Sequence, residues 1–512
     1  MSKPVRFTKA APRQLLARLL EQPGIVHQVR SLEPRALARL VDHVGLEDAG
    51  ELVALATPEQ LGRVFDEDVW HSARPGEDES FDPDRFALWL EVLLDAGEEV
   101  VAEKLAGLPE ELVLLGLGRH VLVVDLDELA VELSDAGAYA DRIEKALDAS
   151  LCVEFDQYRV IARRHDGWDA IAGVLHALDA RDANLLRALL ERLCRASSDF
   201  VEENGGLYDV LTAAEMLEAD AAAEREDRRA REGFVAPSAA ASFLQLARST
   251  SIETALATNA ADPVTHAYFR DLEPRTEQPH LPARPTRASD LLRLLDDLGE
   301  PQAAHPALPA AAASEELPFR SALVLLRTRD PDAYDRRMQE LAYLANVLVA
   351  GCSFEGRRFR PLEAAEAAVA TCNLGLEHLA PEDAAALLGR DRADRLFRIG
   401  MHLLHRRLLL EAVETLAVLL ERHGARRPAA DARTNAASAK PWRARRLLDV
   451  LGDALDPATH DRLAALLGEL PLEAAGPRQP RRFVATTADL DAAHRFVLGL
   501  RAAPPATLQP NP

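Results

Sequence analysis

The residues with the most unusual combination of chemistry lie between Asn346 and Asn373. Gly351 and Gly356 bracket a tight turn, Cys352 and Ser353 follow the first glycine, and Arg357, Arg358 and Arg360 fall within four positions. Asn346 and Asn373 stand in the apolar runs on either side. A guanidinium fork grips a carboxylate or phosphate through parallel hydrogen bonds, and an amide in apolar surroundings must find a partner. The pattern therefore predicts an anionic-ligand site built from Asn346, Cys352, Ser353, Arg357, Arg358, Arg360 and Asn373. The competing reading has the asparagines cross-linking helix ends and the arginines pairing with nearby acids or facing solvent.

A second candidate is the acidic loop at residues 66–84, which begins with Asp66, Glu67 and Asp68 and holds Trp70 and His71. Clustered carboxylates suit weak binding of magnesium or calcium, but the spacing is not that of a calcium-binding loop, and a solvated acidic loop competes with that reading. His402 and His405 stand three apart on one helical face, with Cys372 and His378 upstream. Zinc needs three or four convergent ligands, and the chain has neither a CxxC pair nor an HExxH helix. It also lacks GxSxG, GxxxxGK[ST] and a GxGxxG after a strand, so no catalytic residue and no cofactor is assigned.

The elements that must position these groups are helices. Pro34, Pro58, Pro83 and Pro109 each open a run with helix-spaced apolar residues; they lie 24, 25 and 26 residues apart, with 22 back to Pro12. Proline suits the first helical position, where its missing N–H would be unpaired anyway. Thr57 and Asp82 are good N-caps before their prolines. Leu37, Leu40, Val41 and Val44, or Phe86, Trp89, Leu90 and Leu93, then form one apolar face each. Second short helices are expected at 47–56 and 98–108. Helices of about ten residues are marginal alone, so they must bury their faces on one another, which predicts a solenoid-like superhelix.

Beyond this region Leu151, Val153 and Phe155, then Tyr158 and Val160, alternate around Asp156 and Gln157, which predicts a small β-hairpin. Helices follow from Gly167 to Ala196, before a break at Asn204. A long charged helix at 207–231 is expected to pair its Glu224, Arg225, Glu226, Asp227, Arg228 and Arg229 within itself. Residues 272–318 turn Pro- and Ala-rich and read as a linker with one short helix at 291–298. Tyr334 to Ala350 reads as an apolar helix, Pro361 and Pro381 open further ones, and 424–440 reads as a mobile loop.

Hydrophobic residues make up 48 % and aromatic ones 5 %, with few β-branched runs, a balance that favours helix over sheet. The net charge of -23 argues against non-specific nucleic-acid binding by the whole chain. Residues 390–446 depart from it, with fourteen Lys and Arg against six Asp and Glu; that stretch is a solvated face or a dock for an acidic partner or for the chain's own acidic half. Residues 1–18 lack the apolar core of a secretory signal, and no stretch reaches the roughly 18 apolar residues of a membrane span. Four widely spaced cysteines suit a reducing cytoplasm.

The runs GLEDAGELVALATPEQLGRVFDEDVW and ELAYLANVLVAGCSFEGRRFRPLEAAEAAVATCNLGLEHL resemble an uncharacterised family of large bacterial helical proteins, a domain of unknown function. The likeness covers residues 10–500 and brings no activity with it. Residues 34–70 are more faintly similar to the amino-terminal superhelix of bacterial magnesium transporters, in which acidic residues sense the cation. The chain lacks those transporters' nucleotide-binding-type regulatory pair and membrane helices, so the likeness leaves cation sensing as an analogy only.

The expected fold is all-α: a solenoid-like superhelix at 1–150, a helical domain with a small hairpin and a long charged helix at 151–271, the linker at 272–318, a helical domain at 319–502 and a disordered tail at 503–512. The expected function is a non-enzymatic scaffold or regulatory protein binding a protein partner through helical grooves. The alternative is a sensor of a divalent cation or an anionic ligand, and the third reading is an enzyme acting near Asn346, Cys352 and Asn373.

Overall fold

The computed structural model describes residues 24–72, 74, 76–135, 145, 147, 150–197, 213–257, 262–271, 317–354, 357–437, 441–472 and 483–503. The run at 1–18 with Pro12, the break at Asn204, nearly all of the 272–318 linker and the tail from 504 lie outside the described residues. The chain is mostly helical, with three small antiparallel sheets. It forms two compact units: the first comprises residues 1–72, 79–228 and 275–301, and the second 73–78, 229–274 and 302–512.

In the first unit the proline-led helices begin where the cap chemistry directs. Pro58–Asp68 opens with a capping box, in which Gln60 N–H donates to Thr57 Oγ1 at 3.2 Å and Thr57 N–H to Gln60 Oε1 at 2.9 Å. Gln60 is itself buried, and its Nε2 donates to the carbonyls of Val29 (2.9 Å) and Leu32 (2.8 Å), tying two helices together. Pro83–Asp95 is capped by Asp82, while Pro109 stands just outside Glu110–His120 as its N-cap residue. The short helices pack on one another through Phe65, Phe86 and Trp89.

The hairpin at Cys152–Phe155 and Tyr158–Ala162 forms as its alternation predicts, with Asp156 in the left-handed region at the turn. A third strand, Val121–Asp125, pairs antiparallel with Tyr158–Ala162 and puts the latter in the centre of the sheet. The boundary expected at 150 is not where the units divide. Trp168–Ser197, interrupted at Asp182, buries Ile171, Val174, Leu175 and Leu178 and packs across Pro83–Asp95, Glu98–Ala106 and Glu110–His120.

The charged helix Ala213–Arg231 also departs from expectation. Arg225 is 4 % exposed and donates to the Asp66 carbonyl at 2.6 Å and to Glu79 Oε2 at 2.6 Å, with its guanidinium over the Trp70 ring. Arg228 pairs with Asp66 as well as with Glu224 four residues before it. Its charges therefore serve tertiary contacts within the first unit as much as intrahelical ones.

The second unit is built around Pro361–Leu379, a helix buried on nearly every side. It crosses Ala393–Leu403 at two glycines. A Cβ on Gly375 would lie 2.1 Å from the Leu396 carbonyl oxygen, and one on Gly400 would lie 2.1 Å from that of Thr371. Glu340, on Pro331–Gly351, accepts from Ala393 N–H at 2.7 Å and pairs with buried Arg337, so a charged residue of one helix caps the start of another, Ala393–Leu403. Pro381 precedes its helix by three residues, and the cap of Ala384–Arg390 is Asp383.

The expected loop at 424–440 is in fact largely helix, Arg426–Ala437. Its small face buries Ala429 and Ala432, and Arg433 reaches Glu414 and Glu421 on the preceding helix Leu410–Arg422. Composition alone hid this, because the helix has a narrow alanine seam and an otherwise polar surface.

Candidate functional site

The candidate site is a cavity of about 120 Å³ within the second unit. Residues from six stretches of chain line it, so local chemistry at each has to deliver one or two groups. Pro237–Ser249 supplies Leu244 and Arg248 near its end, and Pro331–Gly351 ends at the wall with Gly351, followed by Cys352. Met401 comes from Ala393–Leu403, Arg443 from the 3₁₀ segment Pro441–Ala454, and Glu469 and Leu470 from the chain after Pro457–Leu466. Arg74, Gly76 and Glu77 complete it.

Two glycines make the wall possible. Gly76 adopts φ +79, its N–H donates to the Ala350 carbonyl at 2.9 Å, and a Cβ there would sit 2.8 Å from the Gly351 oxygen. Gly351 in turn meets the helix carrying Arg248: a Cβ would lie 2.7 Å from Leu244 Cδ1 and 3.0 Å from Ala240 Cβ.

Charged groups of both signs line the cavity, and Arg74 and Arg248 act on Glu469 electrostatically. Arg74 and Arg443 are exposed at its edge, and Arg248 is partly buried. Burial pulls the Arg248 pKa below the ordinary arginine value, and the nearby Cys352 and Glu469 act against that pull. Glu469 Oε2 accepts from Ser353 N–H at 2.7 Å, and burial raises the pKa of its carboxyl against the effect of those Ser353 hydrogen bonds. The Cys352 thiol donates to the Leu470 carbonyl at 3.2 Å; burial pushes its pKa well up, so it stays protonated and behaves as an inert core group.

Behind Arg248 stand two histidines. His402 hydrogen-bonds to the backbone of Arg248 and Thr250 and so fixes the end of that helix; burial, then Arg406, lower its pKa. His405 lies in a π-helical stretch, Leu404–Leu409, a feature frequent at functional sites.

Of the residues predicted from sequence, the structure brings Cys352 to the cavity wall and Ser353 to Glu469, one of the two acids lining it. The others stand elsewhere. Asn346 Nδ2 donates to the Gly233 carbonyl at 2.6 Å. Asn373 accepts from Phe319 N–H at 3.0 Å and donates to Glu377 and the Ala485 carbonyl, cross-linking three segments. Arg357 forms a two-point pair with Glu363, whose Oε2 also accepts from Arg360 N–H, and Arg358 is exposed. Asn346, Cys352 and Asn373 therefore do not converge.

The acidic trio diverges too. Asp66 is buried against Arg228, Glu67 pairs with Arg35, and Asp68 takes Arg85 at two points together with the Trp89 indole N–H. Among the described residues no group of three or more His, Cys, Asp and Glu is arranged to hold a metal ion.

Sequence reasoning missed Arg74, Arg248, Arg443, Met401 and Glu469. Each is an ordinary residue in its own segment, and the nearest signal in the sequence was the turn that begins at Gly351.

Residues 6–430 match the family of unknown function DUF6178, well over half the chain. The chain belongs to this family. No match is found among the curated proteins or among the solved structures. The membership agrees with the resemblance carried by residues 45–70 and 340–379, and it brings no reaction or ligand with it.

Proposed function

We propose that this member of the DUF6178 family is a regulatory protein that binds a small anionic ligand in the cavity of its second unit. The observation that supports this reading most is the set of three arginines, Arg74, Arg248 and Arg443, around one small cavity. Guanidinium groups in a partly desolvated setting suit carboxylate or phosphate. Binding rather than turnover is the preferred reading, because the one thiol among the lining residues, Cys352, is buried and hydrogen-bonded to the Leu470 carbonyl. The four cysteines are free, which supports a reducing compartment such as the cytoplasm.

Thermal unfolding of the full chain with acetate, propionate and inorganic phosphate tests this. A ligand at about a hundred times its Kd stabilises by about 2.7 kcal/mol, a rise of several degrees in Tm for a protein of this size. Arg443→Gln, at the exposed edge, is expected to abolish most of that rise while leaving the unliganded Tm unchanged. The same rise in wild type and variant, or none with any of the anions, contradicts the proposal.

A second reading, a scaffold for a protein partner, draws on Val324 and Leu325, neighbouring residues of Pro318–Arg329 that are 64 % and 50 % exposed. Adjacent exposed apolar side chains favour a contact surface. Val324→Glu with Leu325→Glu is expected to remove any partner captured by the wild-type chain without lowering its Tm; unchanged capture sinks this reading.

A further inference from the structure

We propose that the ligand of this cavity is a short dicarboxylate, one carboxylate gripped by Arg443 at the cavity and the other by Arg446 outside it. The inference rests on the anion-binding reading above and adds a second contact, from the element that carries Arg443. Pro441–Ala454 is a 3₁₀ segment, in which a turn takes three residues and side chains three apart eclipse. Burial along it follows that period. Arg443, Arg446 and Asp449 share one face and are all exposed, whereas the face of Ala444 buries that alanine and the face of Arg445 buries Leu448 and Leu451. Arg443 lines the cavity, so Arg446 stands next to it on the same outward face, one turn away, and Arg445 leaves in another direction. At about 2 Å of rise per residue the two arginines are rooted about 6 Å apart, a gap that an extended four-carbon diacid bridges between two flexible side chains. Asp449, next on the face, is acidic and ends the run.

The remaining charges agree. Glu469 accepts from Ser353 N–H, and Arg74 and Arg248 act on it. Neither Arg443 nor Arg446 has a hydrogen-bonded or ion-paired side-chain partner among the described residues. Two arginines without an acid suit two carboxylates. Size points the same way. A cavity of about 150 Å³ accepts benzene, so one of about 120 Å³ takes a carboxylate and a carbon or two, and the rest of a diacid must stand outside, beyond Arg443.

Titration calorimetry on the full chain decides it, with succinate and with propionate, which is succinate with one carboxylate replaced by hydrogen. About 0.15 M salt screens attraction beyond about 8 Å. Wild type is expected to bind succinate about tenfold more tightly than propionate, or better. Arg446→Gln is expected to lose that preference, and Arg445→Gln, the same loss of charge on another face, to keep it. Propionate binding as tightly as succinate to the wild-type chain overturns the dicarboxylate proposal and leaves the anion site standing. Equal loss of preference in Arg445→Gln and Arg446→Gln, or loss in neither, overturns the pairing of Arg443 with Arg446. No binding of succinate, propionate or inorganic phosphate overturns both readings. The wild-type comparison needs no variant, so a folding defect in either one leaves the first decision intact.

Discussion

The imidazole of His405 lies near Arg248, Arg406 and His402, and burial together with those groups pulls its pKa down to about 4. An unfolded histidine titrates near 6.5. Above that pH both states are neutral and the residue contributes nothing to pH dependence. As pH falls from about 6.5 to 4 the unfolded chain takes up a proton that the folded chain refuses, so stability is lost across that window and levels off below it. After allowance for partial exposure, urea unfolding should show wild type losing about 1 kcal/mol more than His405→Gln between pH 7 and pH 5. Equal losses would mean that the imidazole is solvated. At the same scale, Arg225→Met removes the guanidinium that Glu79 and the Asp66 carbonyl share in the first unit and should cost about 3–5 kcal/mol, whereas Arg225→Met with Glu79→Met should cost less than the single change. A double variant less stable than Arg225→Met would show that the pair is not coupled in this way.

At the scale of elements, the crossing of Pro361–Leu379 with Ala393–Leu403 leaves no room for a methyl group at either glycine. Gly375→Ala and Gly400→Ala each drive a Cβ into a backbone carbonyl that no side-chain rotation relieves. Each should lower stability by about 3 kcal/mol or more, measured by chemical unfolding, although alanine is the better helix former. The elements were also where sequence was most informative. Pro58–Asp68 and Pro83–Asp95 begin where Thr57, Gln60 and Asp82 direct, because caps involve residues three apart. Alternation around Asp156 located the hairpin for the same reason. The strand Val121–Asp125 was hidden, since its partner Tyr158–Ala162 lies more than thirty residues on and an apolar run alone does not separate strand from helix. Arg225 was misread because its partners, Asp66 in the helix Pro58–Asp68 and Glu79 beyond it, stand about 150 residues earlier in the chain. The cavity was hidden for the same reason on a larger scale: its arginines and its glutamate are scattered from Arg74 to Glu469.

At the scale of the whole molecule, charge is the dominant fact. Part of the basic excess at 390–446 is offset by acids from elsewhere in the second unit, Arg398 pairing with Asp262 and Arg407 with Asp491, while Arg395–Asp391 and Arg433–Glu414 pair within the stretch. With a net charge of -23, the chain should not retard duplex DNA in a gel at about 100 mM salt, and retention would expose a basic surface missed here. No helix among the described residues is long and apolar enough to cross a membrane. The chain belongs to DUF6178 by its residues 6–430, and the cavity in the second unit is the feature that carries a functional proposal.

The most direct measurement uses Met401, one of only four methionines in the chain and the one at the cavity wall. With ¹³C-methyl methionine and the Met401 resonance assigned through Met401→Leu, the full chain is titrated with succinate, propionate and inorganic phosphate. A saturable shift of the Met401 methyl, with Met216 and Met338 unmoved, is the predicted result. Silence at Met401 with all three, or equal shifts at all the methionines, would contradict a small-ligand site in the second unit.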